Sequence, residues 1–106
     1  MTTHNKYAGE IKASLGGQER VFKLTFERLV HLEDATGKSV MELSRTITAQ
    51  TFKTMDIVEI VYQGLLGAGG KFEKNAIGRM VLDDGLIARP QWLEVKRFAN
   101  LLSAIA

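Results

Sequence analysis

Three segments of the sequence carry residue types that could do chemistry, and the first surrounds His31. This histidine lies between Glu27 and Asp34 at helical spacing, an arrangement in which a carboxylate can orient an imidazole as a general base. No nucleophile or further metal ligand accompanies it, and His4 is the only other histidine. A histidine exposed on a helix face is therefore the better interpretation.

The second segment is the glycine-rich run from Gly64 to Lys71. Exposed backbone N–H groups at the start of a helix can bind phosphate, and such loops are glycine-rich. The spacing here is wrong for that motif, because Leu65 stands where its first glycine belongs and Phe72 stands where Ser or Thr would hold magnesium. The run also follows a predicted helix and not a strand, so we interpret it as a helix stop.

The third segment is the acidic pair Asp83-Asp84. It could begin a cation-binding loop, but the regular acidic spacing of a calcium site is absent, and a turn is the better interpretation. The chain also has no cysteine, which excludes thiolate zinc sites and cysteine nucleophiles. We therefore predict no catalytic, metal or cofactor site, and no enzymatic activity.

Nucleic-acid binding has weak support in the sequence. The formal net charge is only +2, and positive and negative residues alternate along the chain, whereas nucleic-acid binders usually collect basic residues on one surface. Residues 72–82 and 90–103 could form a helix-turn-helix, but their connection is too long and the second helix is strongly apolar. A small DNA-binding regulator remains the weaker alternative.

The length of 106 residues and the 45% apolar content fit one globular domain. The polar segment Met1–Lys6 has no apolar run like that of a signal peptide, and no stretch approaches the roughly 20 apolar residues of a membrane span. We expect residues 1–6 to be disordered and the protein to be cytoplasmic, with no membrane partner.

The elements that would have to position any site begin with a β-hairpin over residues 7–24. Apolar and polar side chains alternate from Tyr7 to Leu15, and again from Glu19 to Leu24, as in half-buried strands. Gly16-Gly17 supplies the tight turn between them. Two strands alone are marginally stable, so the hairpin should pack against the helices that follow.

Helical patterns occupy residues 25–106. Thr25 predicts the cap of a helix over 26–36 that turns Phe26, Leu29, Val30 and Leu32 to the core and ends at Gly37, and Ser39 with Glu42 predicts a capping box for a short second helix. Thr54 should cap a central helix over 55–66 whose narrow polar stripe consists of Asp56, Glu59 and Gln63. Further helices should span about 72–82 and 90–103. The predicted fold is α+β: one small domain with an N-terminal hairpin packed on four to five helices.

A set of core residues follows from these patterns. We expect six apolar helix residues to be mostly buried, with Ile11 and Phe22 of the hairpin packing on the same cluster. The helix residues in this set are Leu29, Leu32, Val58, Val61, Leu65 and Trp92.

The last helix is apolar over more than half of its circumference, which is more than one buried face requires. Docking in the core would account for this excess. The alternative is a surface for a helical partner, with aromatic and aliphatic anchors at helical spacing. On that alternative Trp92 and Val95 face inward, and some of the remaining anchors stay accessible. These candidate partner-binding residues are Phe98, Leu101, Leu102 and Ile105.

The order of these motifs resembles a known family, the tail assembly chaperone-like proteins of gene transfer agents and related tailed phages. The resemblance covers residues 8–106: a hairpin ending in Phe22-Lys23-Leu24-Thr25-Phe26, a helix like Leu29 to Gly37, a helix running into Gly64 to Gly69, and a closing apolar helix. The segment 72–82 is more basic than is usual for the family.

The resemblance implies a role in tail assembly in the cytoplasm of a bacterial host, in which such proteins hold the tape measure protein soluble until tube subunits polymerise around it. A competing description places the same family in the tail tube itself. We expect the chaperone role, since one hairpin is little strand for a tube subunit, and the tube-associated structural role is the alternative. The expected partners are the tape measure protein or another tail protein, with homo-oligomers possible.

Overall fold

The hairpin forms as the alternation predicts. The computed structural model describes residues 10–83 and 92–105, with side chains omitted at 92–95, 104 and 105. Strands β1 (Glu10–Leu15) and β2 (Gln18–Lys23) pair antiparallel, with Ile11 opposite Phe22. Gly16 and Gly17 both adopt positive φ angles of 66° and 78°, as a two-residue hairpin turn requires. Tyr7 lies outside the described residues.

Five helices follow in the described part of the chain, which confirms the α+β prediction. They are α1 (Phe26–Thr36), α2 (Val40–Thr48), α3 (Thr54–Gly67), α4 (Lys74–Asp83) and α5 (Trp92–Ile105). Helix α3 is central: it packs against β2, α1 and α4, while α5 packs against α2 and β1. Helix α4 begins two residues later than predicted. Residue 90, where the last helix is predicted to begin, lies outside the described residues.

Local capping signals set most helix boundaries. The Thr25 hydroxyl accepts a hydrogen bond from the Arg28 N–H, and Gly37 closes α1 in a left-handed conformation, as its lack of a Cβ atom favours. The Ser39 hydroxyl accepts from the Glu42 N–H at the start of α2. For α3 the prediction is wrong by one residue: Lys53 is the cap, and the Asp56 carboxylate accepts the Lys53 N–H.

One apolar core joins the hairpin to the helices. The expected core residues Leu32, Val58, Val61, Leu65 and Phe22 are all buried. Leu29 and Ile11 are partly buried and pack against the same cluster, and the Trp92 side chain lies outside the described residues. The rings of Phe22 and Phe98 meet edge to face, with centroids 5.1 Å apart, so the hairpin and α5 are held together by an aromatic pair.

The polar stripe of α3 is buried. Asp56, Glu59 and Gln63 expose 3%, 3% and 5% of their surface. The Lys38 ammonium donates to the Asp56 carboxylate over 2.6 Å, and the Lys74 ammonium lies 2.9 Å from the Glu59 carboxylate.

Gln63 continues this network. Its amide N–H donates to Glu59, and its amide oxygen accepts from the Arg28 guanidinium. Among the described residues no buried side-chain nitrogen or oxygen lacks a hydrogen-bond partner, so the stripe is a satisfied network. Through it the central helix is tied to α1, to the α1–α2 loop and to α4. The helical period identified the stripe correctly, but the cations that cover it come from distant parts of the chain.

Candidate functional site: two apolar surface grooves

Within the part of the chain that the structure describes, which excludes Asp84, the residues that could have done chemistry are not assembled into a site. His31 is exposed on α1. In the described ranges, no group of three or more His, Asp or Glu residues could hold a metal ion. The N–H groups of Gly69 and Gly70 donate to the carbonyl oxygens of Leu66 and Leu65, so these donors close the end of α3 instead of facing an anion.

The predicted partner-binding residues of α5 belong to the core. Phe98, Leu101 and Leu102 expose 1%, 3% and 0% of their surface, so the prediction that some of them stay accessible is wrong for these three. The reason is that α5 is covered on two sides, by α2 and by β1. The Ile105 side chain lies outside the described residues, as do those of Trp92 and Val95.

Exposed apolar side chains occur instead on α1 and α2. Phe26 is 82% exposed, and Val30 and Met41 are each 43% exposed. The prediction that Phe26 and Val30 face the core is therefore wrong. Helix α1 packs on α3 through the side that carries Arg28 and Leu32, which turns Phe26 and Val30 to the surface.

These side chains border an open groove of about 430 Å³, which we call the first groove. The carboxylate of Glu33, on the wall of this groove, accepts a hydrogen bond from the Val40 N–H over 2.9 Å and so fixes the start of α2 against α1. The lining residues are Phe26, Leu29, Val30, Glu33, Ser39, Val40 and Met41.

A second groove, of about 290 Å³, lies between the start of α3 and helix α4. Met55 and Leu82, 56% and 64% exposed, are its prominent apolar side chains. Gly78 forms part of the floor, where the nearest atom to an added Cβ would be 3.9 Å away on Val58. The lining residues are Thr54, Met55, Val58, Lys74, Asn75, Gly78, Arg79 and Leu82.

The two grooves differ in charge. The charged residue lining the first groove is Glu33, whereas Lys74 and Arg79 line the second. Glu27 and Asp34 lie about one helical turn on either side of Val30, but Glu27 lies 3.8 Å from the Arg28 guanidinium and neither residue lines the groove.

Sequence reasoning missed both grooves. It assigned Phe26 and Val30 to a core-facing helix side, and a hydrophobic pattern by itself does not distinguish an apolar residue that packs inside from one that stays outside. Exposed apolar side chains that collect at one place mark interaction surfaces more often than single ones do. The grooves are therefore the candidate functional site.

Comparison with known proteins identifies the family. No curated protein and no solved structure gave a match. No helix within the described ranges is long and apolar enough to cross a membrane. The family model described as "Phage tail tube protein, GTA-gp10" matches residues 8–104, nearly the whole chain and the same stretch that carries the resemblance seen in the sequence. The chain therefore belongs to the phage tail tube protein, GTA-gp10, family.

Proposed function

We propose that this protein is a structural, tube-associated component of a phage or gene transfer agent tail, and that it works by binding other tail proteins without catalysing a reaction. The observation that carries the proposal is the family match over residues 8–104. It favours the tube-associated alternative over the chaperone role that the sequence resemblance first suggested. Binding of the tape measure protein remains a hypothesis that the same experiment can test.

The exposed grooves support a binding role. Phe26 presents an aromatic ring that is 82% exposed, and aromatic side chains that become buried at an interface typically contribute a large share of the binding energy. A protein whose partner contacts were limited to solvated polar loops would gain nothing from such a residue. The first groove is therefore the surface on which we expect tail proteins to bind.

The test is to ask where the protein is after assembly. Tails are produced from the complete tail gene cluster, purified, and analysed by quantitative mass spectrometry. A tube-associated component remains in the finished tail in many copies. A tape measure chaperone is instead absent from the finished tail and co-purifies with the tape measure protein before the tube forms.

A matched pair of variants links the result to the groove. Phe26→Ser removes an exposed ring and should leave the thermal transition within a few degrees of wild type, because exposed positions contribute little to folding, while incorporation into tails falls strongly. Val21→Ser is the control, since Val21 is also exposed (38%) but lies on the hairpin. Normal incorporation of the Phe26→Ser protein would remove the first groove from the proposal.

A further inference from the structure

We propose that the first groove of one copy of this chain binds the second groove of another copy, in a head-to-tail contact. The inference rests on the proposed tail function and names one of its partners, a second copy. It comes from the two grooves themselves, which share no lining residue, so one copy can engage a neighbour through each groove at the same time.

The shapes and polarity of the two grooves suit each other. The first presents protruding side chains, above all Phe26. The second has a low floor at Gly78, flanked by Met55 and Leu82. An aromatic ring placed over Gly78 would contact both apolar flanks, and methionine is well suited to such contacts because its thioether is flexible and polarisable.

Charge determines which grooves pair. Contact between two first grooves would bring two copies of Glu33 together, and contact between two second grooves would bring two copies of Arg79 together. Lys74 also lines the second groove, but its ammonium lies 2.9 Å from the buried Glu59 carboxylate, so its charge is already paired. Like charges across an interface disfavour the pairing. Contact between a first and a second groove places Glu33 against Arg79, so this arrangement is the complementary one.

Charges of the other sign near each groove do not change this conclusion. Arg45 is one turn from Met41, and Asp83 is one turn from Arg79, but these residues, like Glu27 and Asp34, do not line a groove, so the pairing depends on Glu33 and Arg79. A contact between two different surfaces of the same chain is heterologous, and repetition of such a contact generates either a closed ring or an open helical filament. Both outcomes would serve a particle built from repeated copies.

The experiment is a complementation of two surface variants of the full chain, followed by sedimentation velocity over a range of concentrations. Phe26→Ser disables the first groove and Leu82→Ser disables the second, both at exposed positions. Wild type should form oligomers that grow with concentration. Each variant alone should associate at least about tenfold more weakly, equivalent to about 1.4 kcal/mol, with an unchanged thermal transition.

The mixture of the two variants decides between arrangements. Head-to-tail pairing predicts a one-to-one dimer that does not grow, because the intact first groove of Leu82→Ser binds the intact second groove of Phe26→Ser and both remaining grooves are disabled. If Leu82→Ser alone still associated like wild type, two first grooves would be paired and the proposal would be overturned. Val21→Ser should oligomerise normally.

A charge reversal gives an independent readout. Arg79→Glu should weaken the association, and Arg79→Lys should preserve most of it, because the positive charge is kept. If wild type stayed monomeric at all concentrations, the head-to-tail inference would be wrong. The proposed tail function would still stand if the protein were present in finished tails, in which case the grooves serve a different tail protein.

Discussion

Gly67, the last residue of α3, lies directly against the carbonyl oxygen of Lys23 at the end of strand β2. A Cβ atom at position 67 would be 1.8 Å from that oxygen. One turn earlier, a Cβ atom at Gly64 would be 3.0 Å from the Cβ atom of Phe22. The two glycines therefore allow the central helix to approach the hairpin closely, in addition to any role in ending the helix.

The first prediction follows from this contact. Gly67→Ala should lower the free energy of unfolding by about 3 kcal/mol, at the upper end of the usual cost of overpacking, because the obstructing atom is backbone and cannot rotate away. Urea denaturation followed by circular dichroism measures it. Ala68→Ser, at the next and exposed position, is the control and should change stability by less than about 0.5 kcal/mol. Equal stability of the two variants would contradict the close approach.

The second prediction concerns the closing helix. Because Leu102 is fully buried, Leu102→Ala should cost about 2 to 5 kcal/mol, and Leu102→Asp should unfold the domain, since a charge there would be buried without a partner. Asn100→Ala changes an exposed residue of the same helix and should be nearly neutral. Denaturation curves of the three variants provide the measurement. A stable Leu102→Asp protein would return α5 to consideration as a partner-binding surface.

The third prediction concerns the buried pair of Lys38 and Asp56, whose side chains are 18% and 5% exposed. Lys38→Met removes the cation and leaves the Asp56 carboxylate buried, with the Lys53 N–H as its remaining donor described here. Loss of one partner of a buried ion pair costs about 3 to 5 kcal/mol, and the partial exposure of Lys38 places the expected loss near the lower limit.

A double variant provides the check on this pair. Lys38→Met combined with Asp56→Leu should be more stable than Lys38→Met alone, because no uncompensated charge remains. A double-mutant cycle from chemical denaturation measures the coupling between the two positions. If the two losses simply added, the pair would not be coupled, and the buried network would contribute to the fold through its separate hydrogen bonds only.

The sequence alone predicted the local structure well. The alternation around Gly16-Gly17, the cap at Thr25, the stop at Gly37 and the cap at Ser39 all depend on side chains acting on backbone within a few residues, and the structure confirms each of them. The family was also recognisable from the order of short motifs. The tail tube role in the family's description, however, was only the alternative to the chaperone role that the resemblance suggested.

The candidate site was not predictable in the same way. Leu32 and Phe26 both read as apolar residues of one helix, yet one is fully buried and the other is 82% exposed. The difference depends on which side of α1 meets α3, and the hydrogen bond from Arg28 to Gln63, across 35 positions of the chain, helps to determine that side.

For the buried polar stripe and for the closing helix, too, the sequence predicted which residues share a face but not what covers that face. Sequence spacing placed Asp56, Glu59 and Gln63 on one face of α3, and it placed the apolar residues of α5 on a broad face. Only the tertiary structure shows what covers these faces. Lys38, Lys74 and Arg28 cover the polar stripe of α3, and α2 and β1 cover the apolar face of α5. Periodicity reports the direction in which a side chain points around its own helix axis, whereas burial depends on what distant segment packs there, and that is decided by long-range contacts.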